Sequence, residues 1–188
     1  MKKWQRAAAS ATLVGATVAG AVGISAAAKA NPVVSRPAAA QPGGRPGSVS
    51  ANIRVVETFL QDVLNDHHGD HASLYMTPGV TWSGGTVGTI TGRKNVAGLF
   101  AGVVSSLPNV HTAIKDAFGQ GDEVLVRMVV SGTQEGALLG IPATGLNVQW
   151  DALDVFRLNG GKISAIWAGD DWTAILFDTG TFKAPWIP

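Results

Sequence analysis

Three carboxylates near the C-terminal end have the type and surroundings for proton transfer: Asp154, inside Leu153-Asp154-Val155-Phe156, and the adjacent Asp170-Asp171. A carboxylate within reach of the carbon next to a carbonyl can remove its proton, and apolar surroundings raise its pKa toward a useful value. Strand alternation puts Trp150, Ala152, Asp154 and Phe156 on one face of a strand, and Trp167, Gly169 and Asp171 on one face of the next. With both faces turned inward, two indoles form an apolar wall with Asp154 and Asp171 beside it. Such a site suits a largely apolar small molecule with one or two polar groups. Trp82 and Phe100 are further candidates for the lining. Each acid also has a plainer reading. Asp170 or Asp171 can cap a helix beginning at Trp172, and Asp154 can pair with Arg127 or Arg157 on the sheet.

His67-His68-Gly69-Asp70-His71 holds metal-ligand residue types. The i,i+4 spacing of His67 and His71 serves a metal only on a continuous helix, and Gly69 argues against continuity. The expectation is a solvated helix end and no metal site. His111, alone at a strand start, reads as structural. Gly84-Gly85 and Gly88 lack the Lys-Ser/Thr of a phosphate loop and read as a plain loop.

The elements that must position these residues follow from periodicity. Ile53, Val56, Phe59, Leu60, Val63 and Leu64 have helical spacing, which predicts a helix over 52–66 capped by Ser50 or Asn52. Asp70 starts a short helix through Tyr75, and Val80 to Ser83 is a short strand. Gly84 to Thr91 is a loop. A helix over 94–106 stops before Pro108. Strands are predicted near 110–118, 123–133, 146–158 and 162–169, the last two joined by a tight turn at Asn159-Gly160-Gly161. Trp172 to Phe177 is a short helix. Helices followed by a run of antiparallel strands indicate an α+β class with helices packed on one curved antiparallel sheet.

The N-terminus reads differently. Lys2, Lys3 and Arg6 precede an apolar run from Ala7 to Ala28, and Ala28-Lys29-Ala30 is an A-x-A site. That is the layout of a secretory signal peptide over 1–30, with cleavage near Ala30 and a secreted, extracytoplasmic mature chain. The plainer reading is an uncleaved anchor. A Pro/Ala/Gly/Ser linker over 31–50 separates it from a domain over 51–188. Without residues 1–30 the chain holds ten Lys and Arg against thirteen Asp and Glu, a net charge of −3. This offers no electrostatic footprint for nucleic acid. The chain has no cysteine, so the domain is held without disulfides.

From about Ile53 to Phe177 the sequence resembles the SnoaL-like polyketide cyclases, or ester cyclases, of the NTF2-like superfamily. The resemblance is carried by Gly136-Ala137-Leu138-Leu139-Gly140-Ile141-Pro142-Ala143-Thr144-Gly145, Trp150, Asp154-Val155-Phe156-Arg157, Gly161-Lys162-Ile163 and Trp167. Trp82, Gly92-Arg93 and Gly121-Asp122 add to it. It implies a cone-shaped α+β barrel around a deep apolar pocket. It also implies a cofactor-free, aldol-type ring closure, with a carboxylate on the last strand, a few residues after a Trp, as acid/base. Asp171 is taken as the match. Where many relatives carry a pocket histidine this chain has Gln134 or Glu135, and Ser83, which makes Gln134 a pocket candidate. Two other functions stand beside the enzyme: a secreted module that binds a hydrophobic small molecule without chemistry, and an interaction domain that forms a homodimer through its open sheet face.

Overall fold

The computed structural model describes residues 47–183 and 185–186. The predicted signal peptide and most of the predicted linker lie outside the described residues. The Ser48 hydroxyl accepts from the Ala51 N–H at 3.3 Å and caps helix α1, Val49–Leu60. The cap therefore lies upstream of Ser50 and Asn52. Asn52 is buried instead, and its side-chain amide donates to the Gly121 carbonyl. A π-helical turn, Gln61–Asn65, continues α1, and His67 at φ 63° reverses the chain. A 3-10 helix, Gly69–Tyr75, follows. A Cβ on Gly69 would meet the Ala101 Cα at 2.8 Å, so only glycine lets this turn pack so closely on the next helix.

Strand β1, Met76–Ser83, is longer than predicted, and the supposed loop after it contains a short strand β2, Thr89–Thr91. Helix α2 is Arg93–Ser106. Strands β3 His111–Gln120, β4 Glu123–Thr133, β5 Asn147–Asn159 and β6 Lys162–Trp167 follow, then helix α3, Trp172–Asp178. Among the described residues no helix is long and apolar enough to cross a membrane.

The six strands form one sheet in the order β2-β1-β6-β5-β4-β3. Every pairing is antiparallel except one. β1 runs parallel to β6, which corrects the expectation of a wholly antiparallel sheet. The two strands are joined by most of the domain, and no hairpin constrains their direction. The β5–β6 hairpin turns on Gly160 and Gly161, at φ 58° and 76°, with Asn159 paired to Lys162. Two positive φ values in a row suit the right-handed twist of a two-residue turn.

The concave face of the sheet is apolar. Val124, Val126, Met128 and Val130 of β4 alternate inward, as do Val148, Trp150, Ala152, Phe156 and Leu158 of β5. Val56, Phe59 and Leu60 of α1 pack on them. Phe59, with no exposed surface, meets Tyr75, Phe100 and Phe156 edge-on, with centroids 5.6, 5.0 and 6.2 Å away. Burying such a ring contributes about 1.5–3 kcal/mol. Irregular pairing between Ile114 and Asp116 of β3, and between β5 and β6 beside Leu158, lets the sheet bend over the helices.

Candidate active site

Between α1, α2 and the concave face lies a cavity of about 340 Å³. Trp82, Phe100, Met128, Leu138, Trp150 and Trp172 supply apolar wall. Asp154 and Asp170 are the acidic residues of the lining. Three of the predicted lining residues, Trp82, Phe100 and Trp150, are therefore at the cavity.

Asp154 sits mid-strand on the inward parity of β5, 7% exposed. Its Oδ1 accepts from the backbone N–H of Gly169 at 3.1 Å. Neither arginine proposed as its partner reaches it. Arg127 donates through Nε to Asp116 at 2.8 Å, and Arg157 donates to Glu123 at 2.7 Å, both on the outer face. Burial, followed by the nearby Asp170 charge, pushes the Asp154 carboxyl well above the usual carboxylate range, and the Gly169 N–H offsets only part of this.

Asp170 is the second acid of the site. Its backbone bridges to Ala152, and its Oδ1 accepts from the Trp150 indole Nε1–H at 2.7 Å. Burial raises it to about 6, with the indole bond acting the other way. Both carboxyls are thus pushed up, and as neighbouring like charges they favour a pair that carries one proton, an acid beside a carboxylate. This is the division of labour that general acid–base chemistry needs.

Asp171 does not face the cavity. It is exposed and caps α3, its Oδ1 accepting from the Thr173 N–H at 3.1 Å and the Thr173 hydroxyl at 2.6 Å. Trp167 also points away. It is 40% exposed on the outer face, with the Arg157 guanidinium 4.8 Å from its ring centroid. Both placements have one cause. Phe156 pairs with Ile166 and Leu158 with Ile163, so Ser164 is an extra residue that shifts the parity of β6. The inward set becomes Ile166, Ala168 and Asp170 rather than Trp167, Gly169 and Asp171.

Gln134 has no exposed surface but does not line the cavity. Its amide nitrogen donates to the carbonyls of Ile141 and Pro142, both at 3.1 Å, and its oxygen accepts from the Thr144 hydroxyl at 2.6 Å. It ties down the Gly140–Gly145 loop, and the Leu138–Ile141 bridge at the loop's start holds Leu138 at the cavity. Ser83 is bonded to Thr89 outside the cavity. His111 is exposed. His67 donates through Nε2 to the Val110 carbonyl at 2.9 Å and forms no pair with His71. Instead His68 and His71 both turn Nδ1 toward Asp62.

Asp170 was missed because strand parity without the Ser164 irregularity assigns the inward position to Asp171. Trp172 had no signal in the sequence, because its position depends on how α3 folds back against β5.

A cone of helices wrapped by a curved sheet around an apolar cavity with two inward acids defines the NTF2-like, ketosteroid-isomerase-like class. A family model for the SnoaL-like polyketide cyclases matches residues 54–178, and the chain belongs to that family. Similar solved structures include TsrD from Streptomyces laurentii, at 22% identity and TM-score 0.64 over 72% of this chain and 98% of that one. A structure assigned to the SnoaL-like polyketide cyclases, from Jannaschia sp. CCS1, is 20% identical with TM-score 0.63 over 74% and 99%. An LEH-like epoxide hydrolase from M. tuberculosis is 18% identical with TM-score 0.58 over 71% and 92%. At these identities the likeness establishes the fold. No curated protein gives a sequence match.

Proposed function

We propose that the domain is a cofactor-independent cyclase or isomerase acting on a hydrophobic carbonyl compound. The observation that carries this reading is the pair Asp154 and Asp170 in one apolar cavity, Asp154 pushed well above the usual carboxylate range by burial and Asp170 raised to about 6. Asp170 takes a proton from the carbon next to a carbonyl. Asp154, still protonated, donates a hydrogen bond to the carbonyl oxygen as negative charge develops there. The enolate carbon then attacks a second carbonyl and closes a ring, or is reprotonated at another carbon, giving an isomer. Asp170 returns its proton in either case, and the step balances without a cofactor.

Exchange of α-hydrogen in D2O tests the first half-reaction without knowledge of the natural substrate. Wild type exchanges the α-protons of bulky aryl or alkyl ketones, and Asp170→Asn loses about 10²–10⁴ of that rate. A panel that includes epoxides tests the chemistry named for the M. tuberculosis relative. Ligand binding with no exchange and no turnover across the panel establishes the binding module instead.

Two further parts of this reading concern place and partner. Export is supported by the charged start, the apolar run and the A-x-A site, and is checked by sequencing the N-terminus of protein from culture supernatant, expected near Asn31. A homodimer through the outer sheet face is supported by the half-exposed Leu153 and Trp167, and is checked by sedimentation.

A further inference from the structure

Just past the end of α1, outside the lining of the cavity that holds the carboxylate pair, Asp62, His68, His71 and Tyr75 converge. His68 Nδ1 is 2.7 Å from Asp62 Oδ1, and His71 Nδ1 is 3.1 Å from the same oxygen. The two imidazole rings lie 4.6 Å apart. The Tyr75 hydroxyl donates to Asp62 Oδ2 at 2.7 Å, and the same oxygen lies 3.2 Å from His71 Nδ1, so both carboxylate oxygens face the cluster.

The backbone builds this arrangement in a way that helical spacing does not reveal. Asp62 projects from the π-helical turn, a local geometry frequent at functional positions. His67 then adopts φ 63°, a left-handed conformation uncommon outside glycine. The chain doubles back, with the His68 N–H donating to the Asp62 carbonyl at 3.2 Å and the His71 N–H to the His68 carbonyl at 2.9 Å. The 3-10 spacing of three residues then sets His68 and His71 side by side over one carboxylate.

From this juxtaposition we propose that Asp62, His68 and His71 form a site for a divalent transition-metal ion. One carboxylate oxygen and two imidazole nitrogens suit Zn²⁺ and its neighbours, not Mg²⁺ or Ca²⁺, which prefer all-oxygen sets. The three ligand atoms lie within 4.8 Å of one another. Tetrahedral ligation at about 2.0–2.2 Å needs them about 3.3–3.5 Å apart, which small rotations of half-exposed side chains supply. Water completes the coordination on the open side. Tyr75 plays the outer-shell part of orienting the ligating carboxylate. Asp66 and Asp70 flank the cluster and add negative charge that favours a cation. In a chain without cysteine, the ion would clip the end of α1 to the 3-10 helix across the reversal at His67.

The test is calorimetric titration of Zn²⁺ into tag-free, chelator-treated protein at pH 7.5. Wild type takes up one equivalent, and its Tm rises with Zn²⁺ concentration. His68→Ala and His71→Ala each weaken binding by about 10–100-fold or more and remove the Tm response. Co²⁺ gives a visible absorption band in wild type that His71→Ala lacks. Asp62 also accepts from Tyr75, so Asp62→Asn can unfold the protein. The more exposed His68 keeps the proposal open to refutation in that event. No binding by wild type at about 1 mM Zn²⁺ overturns it, as does unchanged affinity in both histidine variants.

Discussion

The indole Nε1–H of Trp150 donates to Oδ1 of Asp170 at 2.7 Å, joining the middle of β5 to the residue just ahead of the α3 cap. The bond favours the ionised carboxylate and opposes the upward push of burial, leaving Asp170 at about 6. Trp150→Phe removes the donor and keeps most of the apolar ring. The Asp170 pKa then rises, and the acidic limb of the kcat/KM profile, set by the free enzyme's base, moves to higher pH. An acidic limb that stays in place would show that Asp170 is not the base.

Burying two acids has a cost that depends on pH. The folded-state pKa of Asp170, about 6, lies above the unfolded value of 3.8. Between those values the folded state binds more protons, so stability falls as pH rises through the window. A rise of that size corresponds to about 3 kcal/mol at about pH 8. Asp154, whose pKa burial also raises, acts in the same direction. Asp170→Asn keeps an oxygen acceptor for Trp150 and cannot ionise. It is therefore expected to be more stable than wild type at about pH 8, close to wild type near pH 4, and inactive. Equal unfolding free energies at both pH values would contradict the burial argument.

Much of this was legible in the residues because one-sided patterns are strong signals. The inward set of β5, from Trp150 through Asp154 to Phe156, follows from period-two alternation alone, and β4 reads the same way. Asp154 was legible because nothing interrupts that strand. Asp170 was not, because one extra residue at Ser164 reverses parity, and a bulge leaves no mark in composition. The same bulge turned Trp167 outward onto Arg157. Gln134 read as a pocket group by analogy with a histidine, whereas its amide closes the loop that follows it. The parallel placement of β1 against β6 depends on a contact between distant parts of the chain, which no local pattern encodes.

Asp171 and Asp170 are neighbours with separate tasks, and substitution should separate them. Asp171 accepts from the Thr173 N–H and hydroxyl at the start of α3. Asp171→Ala removes the cap and is expected to cost about 1 kcal/mol in unfolding free energy. It leaves the cavity acids in place, so turnover stays near wild type. A large loss of kcat with unchanged stability would instead restore Asp171 as the catalytic carboxylate.

Gly169 controls both acids through the backbone. Its N–H donates to Asp154 Oδ1, and its carbonyl accepts from the Leu153 N–H at 3.2 Å. A Cβ at this position would lie 2.6 Å from the Leu153 carbonyl oxygen, too close for any side chain. In Gly169→Ala the 168–170 backbone must move away from β5, at a cost of about 1–3 kcal/mol. That movement lengthens the bond to Asp154 and displaces Asp170 from its indole donor. The Gly169 N–H lowers the Asp154 pKa, so weakening it sends that pKa higher still, and the alkaline limb of the activity profile moves to higher pH. Loss of the indole donor raises Asp170 as well and shifts the acidic limb the same way. The variant is therefore expected to show a lower Tm, a lower kcat and a whole profile displaced toward alkaline pH. A lower Tm with both limbs unmoved would mean that Gly169 serves packing alone and does not set the protonation of the pair.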